Sequence, residues 1–369
     1  MSIACARVRG INLSQGICDL ETPPDVIESA YKAMKKGINH YTRYDGTPRI
    51  RKALAKKLFE FNHIPADPEK NIIVSAGATG ALFATCFALL NPGDEVIIFE
   101  PFYGYHVQTV LLVGAIPKYV KMKPPLWSFA SKDIENAISR KTKAIIISNP
   151  SNPSGKVYTK DELLTIGRFC KKHGLFLISD EIYEYFTYDS HQFISPGSLK
   201  ELEQNTITIS GYSKTFSITG WRIGYLVCPA YIKESIGAMN DLLYVCAPAP
   251  LQEGVAGALR KRSREHFEAI KKSYLFKRDL ICQRLQEVGL TPHVPQGAYY
   301  VLADVSRIPG KDSYKKAMFI LRKTGVAVVP GRAFYHGRSG DNLVRVCFAK
   351  EDSEIDKACN QLLKLKSLV

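Results

Sequence analysis

The chain of 369 residues contains no CxxC pair. Its nine cysteines (Cys5, Cys18, Cys86, Cys170, Cys228, Cys246, Cys282, Cys347 and Cys359) are scattered and odd in number. That spacing argues against a disulfide framework or a thiolate metal centre. It predicts cysteines used as small hydrophobes in a reducing compartment. The opening stretch, MSIACARVRGINLSQ, lacks the apolar core of a secretory signal, so a cytoplasmic location is expected. Internal repeats, low-complexity tracts and long Gly/Ser linkers are also missing. With 46% apolar and 23% charged residues, the composition is that of an ordinary globular chain, long enough for two domains.

Acidic residues are comparatively few, 35 against 50 basic ones, which leaves a formal charge of +15. Nucleic-acid binding is one reading of that excess. The basic residues are dispersed, however, and no helix-turn-helix, zinc or RRM signature accompanies them. Clusters such as Arg260-Lys261-Arg262 and Lys271-Lys272 fall on expected solvated helix faces. A positive field that draws in anionic small molecules is sufficient. One stretch, Asn71 to Gly93, has no charge at all and is long enough to cross a bilayer. Ser75, Gly77, Thr79, Gly80 and Thr85 interrupt it. A strand at Ile72–Ser75, a glycine-centred turn and a helix from Thr79 to about Leu90 explain it better.

Short apolar strands then alternate with helical stretches from about Asn71 to Val227. The expected strands are Ile72–Ser75, Glu95–Phe99, Pro117–Val120, Ala144–Ser148, Leu175–Ser179, Thr206–Ser210 and Ile223–Val227. Ala144-Ile145-Ile146-Ile147 and Leu175-Phe176-Leu177-Ile178 are continuous apolar runs, the mark of strands covered on both faces. Thr159 and Ser131 read as helix start signals. The region is therefore an α/β domain with a mostly parallel sheet. A long charged helix from about Glu265 to Val288 follows. Beyond it, Gly297–Asp304, Gly325–Val329 and Leu343–Phe348 read as strands, and a closing helix begins near Ser353.

The chemistry concentrates where strands end. In Gly211-Tyr212-Ser213-Lys214-Thr215-Phe216-Ser217-Ile218-Thr219-Gly220-Trp221-Arg222, one lysine stands in a small-residue turn after a strand. A lysine that condenses with an aldehyde needs such a place, because burial beside other cations lowers its pKa. Arg222 supplies a planar charged fork suited to phosphate. Together they suggest pyridoxal phosphate. Gly77-Ala78-Thr79, between a strand and a helix, is an anion site by its free N–H groups and helix dipole. Asp180 follows a buried strand and is costly to bury unpaired. Arg345 stands within the apolar run Leu343–Ala349, which favours a purpose over a solvated strand position.

These motifs, in this order and over nearly the whole chain, resemble the class I/II aminotransferases, the fold type I enzymes related to aspartate aminotransferase. The resemblance implies a large cofactor-binding domain over 39–270, and a smaller α+β domain made of 1–38 with 271–369. It implies that Lys214 holds pyridoxal 5'-phosphate as an imine and later moves the proton from the substrate's Cα. Asp180 would keep the pyridine nitrogen protonated, while Asn152, within Asn149-Pro150-Ser151-Asn152-Pro153, and Tyr183 would share the phenolic oxygen. Gly77, Ala78, Thr79, Ser213 and Arg222 would hold the phosphate, and Tyr103 would stack on the ring. The family commonly has serine three residues before the lysine, where this chain has Gly211.

Arg345 would bind the substrate α-carboxylate. Gly16, in Gly16-Ile17-Cys18-Asp19-Leu20-Glu21-Thr22-Pro23, would lay its backbone against the substrate. Tyr41, in Tyr41-Thr42-Arg43-Tyr44-Asp45-Gly46, would reach the phosphate of a neighbouring subunit, making the active unit a homodimer. The family usually has a longer N-terminal arm than this chain carries before its first glycine motif. The implied activity is amino transfer from an L-amino acid to a 2-oxo acid in amino-acid metabolism or biosynthesis, ping-pong through pyridoxamine phosphate. A C–S β-lyase on the same scaffold is the alternative. A cofactor-sensing regulator is a third reading, and no appended DNA-binding domain supports it. Tyr44, Tyr103, Tyr299 and Tyr300 would suit aromatic or apolar donors, although aromatic residues also line pockets for acidic ones.

Overall fold

The computed structural model describes residues 1–18, 20–261 and 264–366. Asp19 of the first glycine motif and Arg262 of the basic cluster lie outside the described residues. The strands in the first part of the chain are β1 (Ile11–Asn12), β2 (Ile72–Ala76), β3 (Glu95–Glu100) and β4 (Ile116–Lys121). They are followed by β5 (Thr142–Ser148), β6 (Phe176–Asp180), β7 (Thr206–Gly211) and β8 (Ile223–Val227). Seven of these form one sheet in the order β2-β8-β7-β6-β5-β3-β4. β7, β6, β5, β3 and β4 run parallel, and β8 is antiparallel to both of its neighbours.

The continuous apolar runs are explained by burial on both faces. Along β5, Ala144 and Ile146 enter a core shared with Leu82, Val107, Val110 and Ile236. Ile145 and Ile147 enter the opposite core, with Trp127, Ile134, Leu163 and Ile166. Each of these isoleucines contributes about 1.5–3 kcal/mol when fully withdrawn from water. Helices therefore coat both faces, and only the strand ends remain open.

Helix termini follow local chemistry. Thr159 caps Lys160–His173: its hydroxyl accepts from the Glu162 N–H at 3.2 Å, and Glu162 accepts from the Thr159 N–H at 2.9 Å. Ser131 does not cap. It is the first residue of the helix Ser131–Ala137, and the Asp133 carboxylate instead accepts from the Ala130 N–H at 3.2 Å. The helix after β2 spans Gly77–Leu89 and starts earlier than expected, because Gly77 itself makes the turn at φ +74°. No helix among the described residues is long and apolar enough to cross a membrane.

The C-terminal part contributes β9 (Thr291–His293), β10 (Tyr300–Asp304), β11 (Val326–Ala327), β12 (Val329–Pro330) and β13 (Leu343–Cys347). An antiparallel sheet has the order β12-β13-β10-β9. The single strand expected at Gly325–Val329 is two: β11 pairs in parallel with β1, while β12 joins the four-stranded sheet. The strand expected from Gly297 begins at Tyr300, after Ala298 adopts φ +58°. The helix Arg264–Glu287 leads into this part. Near the N-terminus, the helix Pro24–Lys35 packs on Ala249–Leu259, where a methyl at Gly254 would stand 3.0 Å from the Ala30 Cβ.

Candidate active site

β5, β6 and β7 end side by side at Ser148, Asp180 and Gly211, on the carboxyl edge of the parallel strands. Open α/β sheets bind ligands at that edge. A cavity of 520 Å³ lies there, and residues from eight separate stretches of the chain converge on it.

Lys214, in the turn after β7, faces the cavity and donates from Nζ to the Gly16 carbonyl at 2.7 Å. Among the described residues no ion pair involves Lys214, Arg222 or Arg345. Burial holds the Lys214 amine below the ordinary lysine range, and the nearby Arg345 and Arg222 charges act in the same direction. The thiols Cys347 and Cys18 oppose that shift.

Asp180, at the end of β6, lies 2.9 Å from Nε2 of the buried His106 and accepts from the Ile182 N–H at 3.3 Å. Tyr103, three residues before His106, meets its ring edge-on with centroids 5.4 Å apart. Tyr183 shares a hydroxyl contact of 2.9 Å with Tyr300, and burial raises both phenols, that of Tyr300 to about 12. The Arg345 guanidinium lies 4.2 Å from the Tyr300 ring centroid. It donates to Asn152 Oδ1 and to the Ser14 carbonyl, each at 2.8 Å. All of these acceptors are neutral, and Arg345 Nε has no partner among the described residues. A buried guanidinium so placed keeps its charge available for an entering carboxylate.

At the other end of the cavity stand Ala78, Thr79, Ser213 and Arg222. A side chain at Gly77 would overlap the Arg222 guanidinium, so glycine is what lets that fork reach the helix start. Arg222 donates to the Thr219 carbonyl at 2.9 Å and remains exposed. The helix N-terminus and the guanidinium together form a cradle for a polyanion. Gly16 has the same kind of constraint: a methyl there would overlap the Tyr300 hydroxyl.

The structure thus gathers Lys214, Asp180, Tyr183, Ala78, Thr79, Tyr103, Asn152, Ser213, Arg222, Gly16 and Arg345 around one cavity, with Gly77 directly behind Arg222. Tyr41 is not among them; its side chain is 84% exposed on the surface. Tyr44 is also elsewhere, donating to Glu234 at 2.9 Å with its ring against Gly237, so it does not shape this pocket. Tyr299 lies buried beneath the site and donates to the Gly16 carbonyl at 3.2 Å. His106 was missed by sequence reasoning. Its signal was a histidine one helical turn after Tyr103, on the helix that follows β3. Tyr105 and Gln15 also line the cavity without a local motif to mark them, and Thr219, inside the Lys214 motif, lines it too.

The family description "Aminotransferase class I and II" matches residues 8–362. The chain is 34% identical to the kynurenine–oxoglutarate transaminase of Dictyostelium discoideum, covering 98% of this chain and 92% of that protein. It is 35% identical to the aspartate aminotransferase of Pyrococcus abyssi, covering 96% and 91%. Its fold superposes on N-succinyldiaminopimelate aminotransferase from Mycobacterium tuberculosis with a TM-score of 0.95, at 32% identity and with 99% and 96% of the two chains covered.

Proposed function

The chain belongs to the class I and II aminotransferases, and from that premise we propose that it moves the amino group of an L-amino acid to a 2-oxo acid, with pyridoxal 5'-phosphate as cofactor, by a ping-pong route through pyridoxamine phosphate. The observation that carries this reading is Lys214: an amine in the cavity with no carboxylate partner among the described residues, between a polyanion cradle and the Arg345 guanidinium.

The residues fit the cofactor. A phosphate suits Ala78, Thr79, Ser213 and Arg222, and a protonated ring nitrogen suits Asp180. When bound, pyridoxal phosphate supplies a carbonyl for amine exchange and a ring that accepts the electrons of a broken C–H bond. Asp180 would keep a proton on the ring nitrogen, with His106 fixing the orientation of that carboxylate. Tyr183 and Asn152 would hold the phenolic oxygen, and Tyr103 would cover the ring. Arg345 clamps the substrate α-carboxylate and sets the Cα within reach of Lys214. The Lys214 amine would be the base that takes the substrate's Cα proton.

We further propose a homodimer, in which Tyr41 reaches the neighbouring phosphate, and a cytoplasmic location. The exposed position of Tyr41 suits that contact. The proposed division is a large domain over 39–270 and a small one of 1–38 with 271–369. The test of function is stoichiometry. A protein loaded with cofactor and given an L-amino acid and a 2-oxo acid should yield the new amino acid and oxo acid one for one. Release of pyruvate and ammonia from a cysteine conjugate, without exchange, would instead support the lyase, which the names of the relatives do not favour.

A further inference from the structure

The turn over 41–46 contributes nothing to the cavity lining of its own chain, yet it carries Tyr41, whose target is the phosphate of a neighbouring subunit. The Tyr41 side chain is 84% exposed, and no hydrogen bond among the described residues engages its hydroxyl. A side chain so free cannot aim itself. Where its hydroxyl lies depends on how firmly the turn beneath it is held.

That turn is held by a fully buried carboxylate. Asp45 accepts from Arg43 through both oxygens, from Nε to Oδ1 and from Nη2 to Oδ2, each at 2.6 Å. It also accepts from Lys233 Nζ at 2.7 Å and from Arg51 Nη1 at 3.4 Å. Each donor comes from a different element: Arg43 from the turn itself, Arg51 from the helix Pro48–Lys57 and Lys233 from the helix Ala230–Tyr244. Glu69 ties Arg43 to Arg51 a second time, accepting from both at 2.7 Å. The backbone is pinned as well: Asn240 donates to the Tyr44 carbonyl at 2.8 Å, and the Val74 N–H donates to the Asp45 carbonyl at 3.1 Å. Asp45, Arg51 and Lys233 are buried within one chain, so this cluster is complete without a second copy.

The helix that carries Lys233 also reaches the phosphate end of the cavity. Its last residue, Tyr244, has its hydroxyl 3.0 Å from where a methyl at Gly80 would lie, on the helix Gly77–Leu89 whose first turn forms the polyanion cradle. One carboxylate thus registers the turn against the helix packed on that cradle. Burying such a carboxylate contributes little net stability, whereas its fixed hydrogen-bond directions admit one orientation of the turn.

We propose that Asp45 is a positioning residue for the cofactor phosphate: it holds the turn so that Tyr41 of one copy meets the phosphate bound by the other. The inference rests on the homodimer reading of Tyr41 and adds the group that aims it.

The test titrates the full chain with pyridoxal phosphate and, separately, with pyridoxal, which lacks the phosphate, following the absorbance of the bound ligand. Tyr41→Phe should weaken pyridoxal phosphate by about tenfold or more, as expected for one hydrogen bond to a charged group, and leave pyridoxal within about twofold. Asp45→Asn should do the same. In the Tyr41→Phe background it should add no further loss of phosphate preference, since both changes remove one contact. Mixed dimers of Asp45→Asn with Lys214→Ala, made by co-expression, should regain turnover at limiting cofactor, in the site that joins Lys214 of the first chain to Tyr41 of the second. Arg43→Gln breaks the clamp without leaving a buried cation unpaired, so it carries the same test if Asp45→Asn does not fold.

A parent-like phosphate preference in these Asp45 and Arg43 variants, an added loss in the Tyr41→Phe background, or mixed dimers that recover nothing would overturn the role of Asp45. A parent-like preference in Tyr41→Phe, or a loaded chain that sediments as a monomer, would instead overturn the homodimer reading and the proposal with it.

Discussion

Lys57 and Lys214 are two of the lysines this molecule withdraws from water, and their surroundings differ. Lys57 donates to Glu184 at 2.6 Å and to the Tyr225 hydroxyl at 2.9 Å. Glu184 accepts further from Asn62 at 2.8 Å and from Ser210 at 3.0 Å, and the Phe61, Tyr185 and Tyr225 rings stand 5.3 to 5.6 Å from the ammonium. Lys214 has one backbone carbonyl, two thiols and two arginines near it. Burial pulls both amines below the usual lysine range; Glu184 resists that pull at Lys57, while at Lys214 the Cys347 and Cys18 thiols resist it and Arg345 and Arg222 reinforce it. Tyr183 and Glu184 are adjacent in sequence, yet Tyr183 lines the active-site cavity, whereas Glu184 and Lys57 line a separate cavity of about 600 Å³. Burial alone, then, does not make a reactive lysine. Both lysines face a cavity, and only Lys214 has no carboxylate partner among the described residues, which leaves its amine available to a carbonyl.

Exchanging the two roles should separate chemistry from stability. Lys214→Ala should cut amino transfer by roughly 10⁴-fold or more while unfolding in denaturant stays near that of the parent. Lys57→Ala should do the reverse, destabilising the fold by about 3–5 kcal/mol because Glu184 is left buried and uncompensated. The folded fraction of Lys57→Ala should still capture cofactor. A Lys57 variant of normal stability without cofactor capture would erase the distinction.

Asp180→Ala comes next in size. It should lower turnover by on the order of 100-fold, since each 1.4 kcal/mol of lost transition-state stabilisation is about tenfold. Cofactor should still bind. Near-normal turnover would show that another group pairs with the ring nitrogen.

Arg345→Ala should weaken amino-acid and oxo-acid use together, by roughly 10- to 100-fold in kcat/KM, with a normal absorbance of the loaded cofactor. Arg345→Lys should restore only part, because an ammonium cannot reproduce the planar fork. Unchanged amino-acid turnover in Arg345→Ala would move the carboxylate anchor elsewhere.

The smallest effect is on pH. A positive neighbour disfavours the Lys214 ammonium, so removing one favours it and raises the pKa. Arg345→Gln should therefore shift the midpoint of cofactor capture to higher pH, as followed by absorbance across a pH series. A downward shift would mean that Arg345 does not act on Lys214 through its charge.

Much of this arrangement was legible in the sequence, because strand ends leave local marks. Continuous apolar runs announced β5 and β6, and Asn152 just past β5, Asp180 at the end of β6 and Lys214 in the turn after β7 meet in the cavity. What was not legible depends on contacts between distant segments. His106 looks like any helical histidine until β6 brings Asp180 beside it. Tyr300 gains its place only when β10 pairs with β13 and lays its ring against Arg345. Tyr44 misled for the same reason: its neighbours are Glu234 and Gly237, far along the chain. The break between β11 and β12 was hidden too, since one apolar run serves two sheets.

The most direct test of the contrast between the lysines is chemical. The protein is loaded with pyridoxal phosphate, reduced with borohydride, digested, and the modified peptide is sequenced by mass spectrometry. A label confined to the peptide carrying Lys214 is the predicted result. A label on Lys57, or on Lys156 with its own carboxylate partner Glu162 at 2.7 Å, would contradict the claim that an amine without a carboxylate is the one that holds the cofactor.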